Sequence, residues 1–318
     1  MNPTDVPLVI QAVSEQVARV VRGAESHVRH ALVAVMVRGH VLLEGPPGTA
    51  KTLLTRCLSR CLGTSMQRIQ CTPDLMPGDV LGANVFDFRT QTFHLTRGPV
   101  FTEFLLADEI NRTPPKTQSA LLEAMQERSV TIDGKTHPLA DTFTVMATQN
   151  PIENEGTYPL PEAQLDRFLF KLIVGYPGEE EEVQAVLAHS SRAGMPDLDA
   201  VGLWPVLDAA HLRALWWVPS LVRIEDDIAR YVVALARATR EHAAVAVGLS
   251  TRAAGMLAAA ARAAAACDGR DYTVPDDVKQ LLLPLGRHRV LLEPEAEMDG
   301  VTPEDVIREI ASTVPAPR

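Results

Sequence analysis

The sequence predicts an α/β fold: a five-stranded parallel sheet covered by helices on both faces, followed by a carboxy-terminal all-α domain. Three observations predict it. Short apolar runs alternate with helical stretches between about residues 40 and 174, the pattern of parallel strands buried on both faces. The first of these runs ends in a glycine- and proline-rich turn that opens a helix. Beyond Gly178 the strand-like runs stop and helical stretches take over. A length of 318 residues also suits two domains at roughly 150 residues each. The change of character places their boundary near 176–180, giving a core over 1–177 and a helical domain with its linker over 178–318.

The elements follow in order. Residues 8–37 read as two helices, the second with Val28, Ala31, Leu32, Val35 and Met36 at helical spacing. His40–Glu44, Gln67–Cys71, Phe104–Asp108, Phe143–Ala147 and Phe168–Val174 read as the five strands, with a helix from about Lys51 to Leu62. Residues 84–95 alternate and turn around Arg89–Gln91, like a hairpin inserted before the third strand. Residues 128–138 form a second hairpin, with Asp133-Gly134 as its two-residue turn. An acidic run at Glu179–Glu182 reads as a solvated helix start, and a stretch bearing Pro, Gly and Asp follows near 194–205. Helices are expected at about 208–217, 225–242, 250–266 and 275–283. Alanine fills ten of the fourteen positions 253–266, a composition that favours helix intrinsically.

Composition excludes several function classes. Thirty Lys and Arg against 40 Asp and Glu leave a net charge of −10, which argues against a free-standing nucleic-acid binder, since such a protein must neutralise phosphates. Four cysteines without a C-x-x-C pair suit reduced thiols rather than a disulfide framework or a zinc site. The start has Asp5 and no basic segment before its apolar residues, unlike a secretory signal. No apolar run approaches the roughly 18 residues of a membrane helix, because Arg38 and Arg262 interrupt the best candidates. A cytoplasmic protein is the expectation.

The chemistry concentrates at three places. Gly45-Pro46-Pro47-Gly48-Thr49-Ala50-Lys51-Thr52-Leu53 lies directly after a strand and opens a helix, the context of a phosphate-binding loop. Lys51 would reach the β- and γ-phosphates of ATP or ADP, and Thr52 would put its hydroxyl on Mg²⁺. Ala50 stands where such loops usually carry glycine; a methyl is tolerated there if the residue already belongs to the helix. Asp108 and Glu109 end the third strand at the sheet's carboxyl edge, where ligands of open α/β sheets bind. Asp108 would hold the metal shell with Thr52, and Glu109 would polarise the attacking water. Asn150 ends the fourth strand, either as a contact to the γ-phosphate or water or as a turn residue before Pro151. Arg167 at a helix end is either a salt-bridged surface residue or an arginine finger aimed at a neighbouring subunit's nucleotide. Arg252 follows the N-cap candidates Ser250 and Thr251, as a phosphate contact from the helical domain or a capping-turn residue. Arg112 and Lys116 lie near the acids with less determined roles.

Taken together, GPPGTAKT, LADEINRTPPKTQSALLEAMQE, ATQNP, GTYPLPEAQLDRF and GLSTRAA resemble the MoxR family of AAA+ ATPases, in order over about 20–290. The resemblance implies an AAA+ P-loop core with a helical lid and two hairpin insertions, at about 74–98 and 128–138. Alanine at position 50 belongs to that family's loop. By resemblance Lys51 and Thr52 match Walker A, Asp108 and Glu109 Walker B, Asn150 sensor 1, Arg167 the finger and Arg252 sensor 2. Such proteins are chaperone-like remodellers that form hexameric rings and act with von Willebrand A domain partners. This chain has no D-x-S-x-S motif, so that partner would be a separate polypeptide.

The reading that follows is an Mg²⁺-dependent ATP hydrolase that remodels or activates a protein client as a homo-oligomeric ring, with nucleotide between core and lid. The alternatives are a nucleic-acid translocase, the ATPase subunit of a metal-chelatase-like complex, and a nucleotide-dependent scaffold. For the translocase, Phe86, Phe88, Phe93, Arg89 and His94 offer stacking and phosphate contacts, although aromatics in such a hairpin are expected to pack against the core.

Overall fold

The computed structural model describes residues 1–151, 156–190 and 196–317; the first two residues of the 194–205 stretch lie outside them. Helices α1 (Val6–Ala18) and α2 (Glu25–Met36) precede β1 (Val41–Glu44), α3 (Lys51–Cys61) and β2 (Met66–Gln70). A short α4 (Pro77–Leu81) leads into the first hairpin, β3 (Gly82–Asp87) and β4 (Thr92–Arg97). Next come β5 (Phe104–Asp108), α5 (Pro115–Glu127) and the second hairpin, β6 (Ser129–Ile132) and β7 (Lys135–Pro138). The core closes with β8 (Thr144–Gln149), α6 (Glu162–Leu165) and β9 (Phe170–Ile173).

Five of these strands form one parallel sheet in the order β2-β5-β8-β1-β9. The chain leaves β1 for the far edge at β2 and returns later to β9 on the other side. That places a crevice outside the carboxyl ends of β1 and β8, where open α/β sheets bind ligands. Strand periodicity divides the core into two layers. Val41, Leu43, Met146, Phe170 and Leu172 join α1, α2 and α3 on one face. Leu42, Leu105, Ala107, Val145 and Ala147 face α5 and the second hairpin on the other. Asp133 and Gly134 turn that hairpin with φ of 48° and 78°, the paired positive values of a type I′ turn.

Beyond the sheet follow α7 (Glu179–Ser190), α8 (Ala209–Leu221), α9 (Asp226–Glu241), α10 (Thr251–Cys267), α11 (Pro275–Gly286), α12 (Pro294–Met298) and α13 (Pro303–Thr313). Among these helices runs a two-stranded antiparallel ribbon, β10 (Val245–Val247) with β11 (Leu291–Leu292), too short to leave a period-2 signature in sequence. The alanine run is the lid's central packing surface. Ala260, Ala261 and Ala263 to Ala266 are fully buried, and small side chains let α2, α8, α9 and α11 approach α10 closely. Arg29 of α2 marks the seam with the core, donating to Ala264 O at 3.4 Å and pairing with Asp268 at 2.8 Å. Lid helices and amino-terminal helices thus share one continuous apolar core.

The first hairpin departs from expectation. Phe88 is 87% and Phe93 69% exposed, and with Phe86 they stack edge-to-face on one another, centroids 5.1 Å apart, rather than on the core. The hairpin projects from the sheet, so its aromatic trio has only itself to pack against. Among the described residues no helix is long and apolar enough to cross a membrane.

The alanine seam gives a stability test. Ala264→Leu forces a larger side chain between α10 and α2 and should cost about 2 kcal/mol, read as an earlier midpoint in urea unfolding.

Candidate nucleotide-binding site

The loop after β1 is built by close approach. A Cβ on Gly45 would lie 2.0 Å from the Val174 carbonyl oxygen, so no other residue fits between β1 and the end of β9. Gly48 takes φ +80°. Ala50 corrects the sequence reading: it is not helical but left-handed, φ 59° and ψ 20°, and stands as the N-cap of α3. An L-residue in that region costs roughly 1–2 kcal/mol, so the loop keeps its shape against local strain. Lys51 opens α3 and curls back, its Nζ donating to Gly45 O at 2.8 Å, Pro46 O at 2.6 Å and Thr49 Oγ1 at 3.3 Å. Partial burial lowers its pKa, against the opposing pull of Asp108 and Glu109.

The acid pair sits across from the loop. Asp108 is buried, and its carboxylate accepts from Thr52 Oγ1 at 3.0 and 3.2 Å, from Thr148 Oγ1 at 2.6 Å, and from Arg68 Nε and Nη2 at 3.1 and 2.7 Å. Glu109 is left-handed, φ 59° and ψ 51°, a strained conformation of the kind that collects at functional sites. Its amide donates to Thr148 Oγ1 at 2.9 Å, and its carboxylate accepts from Gln70 at 3.1 Å and Arg112 at 3.2 Å. Asn150 is buried at the end of β8, its carbonyl accepting from Asn111 Nδ2 at 3.3 Å. One cavity of about 400 Å³ gathers Pro47 to Leu53, Arg68, Gln70, Asp108, Glu109, Thr148, Gln149 and Asn150. Gly45 and Pro46 reach it through the Lys51 ammonium rather than lining it.

Sequence reasoning missed Arg68, Gln70 and Thr148. For two of them the sequence held half of the signal, and the sheet register supplies the other half. Arg68 and Gln70 are two apart on a strand, hence on one face, and Gln70 pairs in register with Asp108.

Arg167 and Arg252 stand apart from this cavity. Arg167 follows α6 and donates through Nη1 to Ala163 O at 2.6 Å. Arg252 lies in the first turn of α10, capped by Ser250, whose Oγ accepts from Ala253 N at 3.1 Å. Its guanidinium lies 3.7 Å from Asp166. Both line a second cavity of about 200 Å³ with Arg38, Gly39, His40 and Arg128. His40 immediately precedes β1 and Gly45 immediately follows it, so the two cavities lie at opposite ends of that strand. The five residue steps from His40 to Gly45, at ~3.3 Å each, separate them by about 16 Å. Burial and the nearby Arg128 push the His40 imidazole down to about 4, so the second cavity draws its positive charge from guanidinium groups.

This geometry corrects the expectation of nucleotide between core and lid. From beyond residue 178, among the described residues, only Pro196 lines the first cavity. The alanine face holds α10 against α2, which carries the start of α10 to the amino end of the sheet. A buried clamp fixes it there. Arg289, just past α11, donates to Asp166 Oδ1 at 2.7 Å, Phe168 O at 2.6 Å and Leu169 O at 3.1 Å. His288 Nε2 donates to the same Phe168 carbonyl at 3.0 Å, and burial holds that imidazole well below its ordinary pKa.

A parallel α/β sheet with a glycine-rich loop, an acid pair at the tip of the strand next but one and a helical lid defines a class of P-loop nucleotide hydrolases. Residues 40–170 match the ATPase family associated with various cellular activities (AAA), and residues 237–310 match the AAA lid domain. Among similar proteins, chaperone MoxR1 of Mycobacterium tuberculosis is 44% identical, with 95% of this chain and 81% of that protein covered. YeaC of Bacillus subtilis, itself uncharacterised, is 46% identical over 98% and 95% of the two chains. Protein MoxR of Methylorubrum extorquens is 30% identical over 95% and 93%. A crystal structure of a candidate ATPase from Cytophaga hutchinsonii superposes with a TM-score of 0.90 at 36% identity, covering 99% of this chain and 97% of that one. The chain belongs to the MoxR family of AAA+ ATPases, and it is an ATP hydrolase.

The strain at Ala50 is directly measurable. Ala50→Gly removes the Cβ from a left-handed position and should raise the melting temperature by about 2 °C; an unchanged or lower value would contradict the strain.

Proposed function

We propose that the protein hydrolyses ATP with Mg²⁺ in the cavity around Lys51, and that a neighbouring copy completes the site with Arg167 and Arg252. The observation that carries this reading is the division of the functional residues between opposite ends of β1. Lys51, Thr52, Asp108, Glu109 and Asn150 share one cavity, whereas Arg167 and Arg252 share another, out of reach of the same chain's phosphates.

The amide groups of the loop from Pro47 to Lys51 and the start of α3 hold the phosphates, and Lys51 exchanges its carbonyl partners for them. Thr52 and Asp108 offer hard oxygen donors 3.0 Å apart, the set magnesium takes when it keeps several waters and phosphate ligands. When bound, the cation neutralises charge on the β- and γ-oxygens. Glu109 orients and polarises the attacking water, and Asn150 reads the terminal phosphate from the adjacent strand tip. Arg167 and Arg252 enter from the next protomer and stabilise charge in the transition state. Donor and acceptor surfaces at opposite ends of one molecule make a heterologous contact, which closes into a ring when the rotation permits. A hexameric ring acting on a protein client, with a von Willebrand A domain partner as a separate chain, is the assembly that the family resemblance supports. The acidic balance of the chain favours a protein client over nucleic acid.

Two experiments test this. Lys51→Ala should abolish nucleotide binding, whereas Glu109→Gln should bind normally and turn over at least roughly a hundredfold more slowly; normal turnover in Glu109→Gln would remove that residue from water activation. Steady-state hydrolysis per protomer should climb with protein concentration, and Arg167→Ala should flatten that rise while leaving monomer binding intact. A rate independent of concentration down to the monomer would overturn the shared site.

A further inference from the structure

Arg68 lines the cavity but has no role in the reaction as just described. Its Nε and Nη2 both donate to Asp108 Oδ2, at 3.1 and 2.7 Å, and Thr52 Oγ1 approaches the same oxygen at 3.0 Å. We propose that Arg68 is a γ-phosphate contact from within the same chain, which leaves Asp108 for the terminal phosphate when nucleotide and cation arrive. The inference rests on the reading of the Lys51 loop as the nucleotide site.

Three features carry it. The first is competition. A divalent cation held by Thr52 and Asp108 takes the oxygen that Arg68 now occupies and sets two positive charges against a guanidinium, and like charges that close repel strongly. The second is the shortage of anions among the described residues that line the cavity. A guanidinium is charged at every working pH, and once Asp108 turns to the cation Arg68 keeps only the neutral Gln70 Oε1 of its side-chain partners in the cavity. The other carboxylate lining the cavity, Glu109, is already held by Gln70 and Arg112. Beside the described residues of the cavity, the incoming phosphate is an anion for it to pair with, and the forked guanidinium matches it in two-point geometry. The Arg68 side chain is 49% exposed, so it swings without disturbing the core.

The third is position. In the order β2-β5-β8-β1 the loop follows β1, and Arg68 stands on β2, beyond Asp108 on the side away from the loop. Phosphates cradled by the loop lie nearest β1, and only the third extends toward β5 and β2. Arg68 therefore meets a triphosphate and misses a diphosphate. That makes it, together with Asn150, a residue by which an unassembled protomer tells ATP from ADP, before a neighbour supplies Arg167.

The test is equilibrium binding of the β,γ-imido analogue of ATP and of ADP, each with Mg²⁺, by calorimetry on the full chain. Arg68→Ala should weaken the triphosphate analogue by roughly tenfold or more, as loss of a charge-assisted contact does, and leave ADP within about twofold of wild type. Arg68→Lys should recover part of the difference. Equal weakening of both nucleotides would make Arg68 a structural support, unchanged affinities would deny the contact, and tightening of both would make it a mere competitor of the cation; each overturns the proposal. Lys51→Ala separates this from the site reading: if it binds both nucleotides like wild type, the loop assignment fails, whatever Arg68 does.

Discussion

The arrangement of the site depends on one buried carboxylate. Asp108 is 7% exposed at the tip of a strand whose residues are all buried, and an uncompensated charge there costs several kcal/mol. Its compensation comes from three directions: Thr52 at the start of α3, Thr148 on β8 and Arg68 on β2. Each arrives on a different element, so satisfying Asp108 fixes the loop helix, the Asn150 strand and the edge strand relative to one another. Thr148 takes a further share by accepting from the Glu109 amide, which holds that residue in its left-handed conformation. The strained backbone at Ala50 and Glu109 flanks this carboxylate on both sides, and the hydrogen bonds around it offset the strain.

Much of the fold was legible because its cues are local. Gly45 to Lys51 announces a strand–loop–helix, the five apolar runs give the strands, and Asp133-Gly134 fixes the second hairpin. The acid pair was legible as well, since strand ends of parallel sheets gather at one edge. Arg68 was not, because its importance comes from sheet order. Only the placement of β2 next to β5 turns a surface-looking arginine into a partner of Asp108. The conformation of Ala50 was misread for a related reason: the sequence shows a good helix former before Lys51, while the loop geometry demands a left-handed turn there.

Lid placement was the other illegible feature. An alanine-rich helix announces close packing and says nothing of what packs on it. Here α2 fills that role, its Arg29 holding the end of α10, while the start of α10 lies at the amino end of the sheet. Arg252 then falls beside Arg167, about one strand length from the loop that either residue is read as serving. The exposed phenylalanines of the first hairpin teach the same lesson in reverse, because aromatic composition signals a core only where an element has a core within reach.

The clamp formed by Arg289 and His288 bears on how the molecule moves. Both side chains are buried, and between them they hold Asp166, the Phe168 carbonyl and the Leu169 carbonyl on either side of Arg167. Asp166 in turn faces Arg252. The buried bonds of Arg289 and His288 do not stretch independently, so the end of α11 and the segment carrying Arg167 turn together, with the start of α10 following through the looser pair of Arg252 and Asp166. A few degrees of lid rotation therefore become a displacement of the arginine tip.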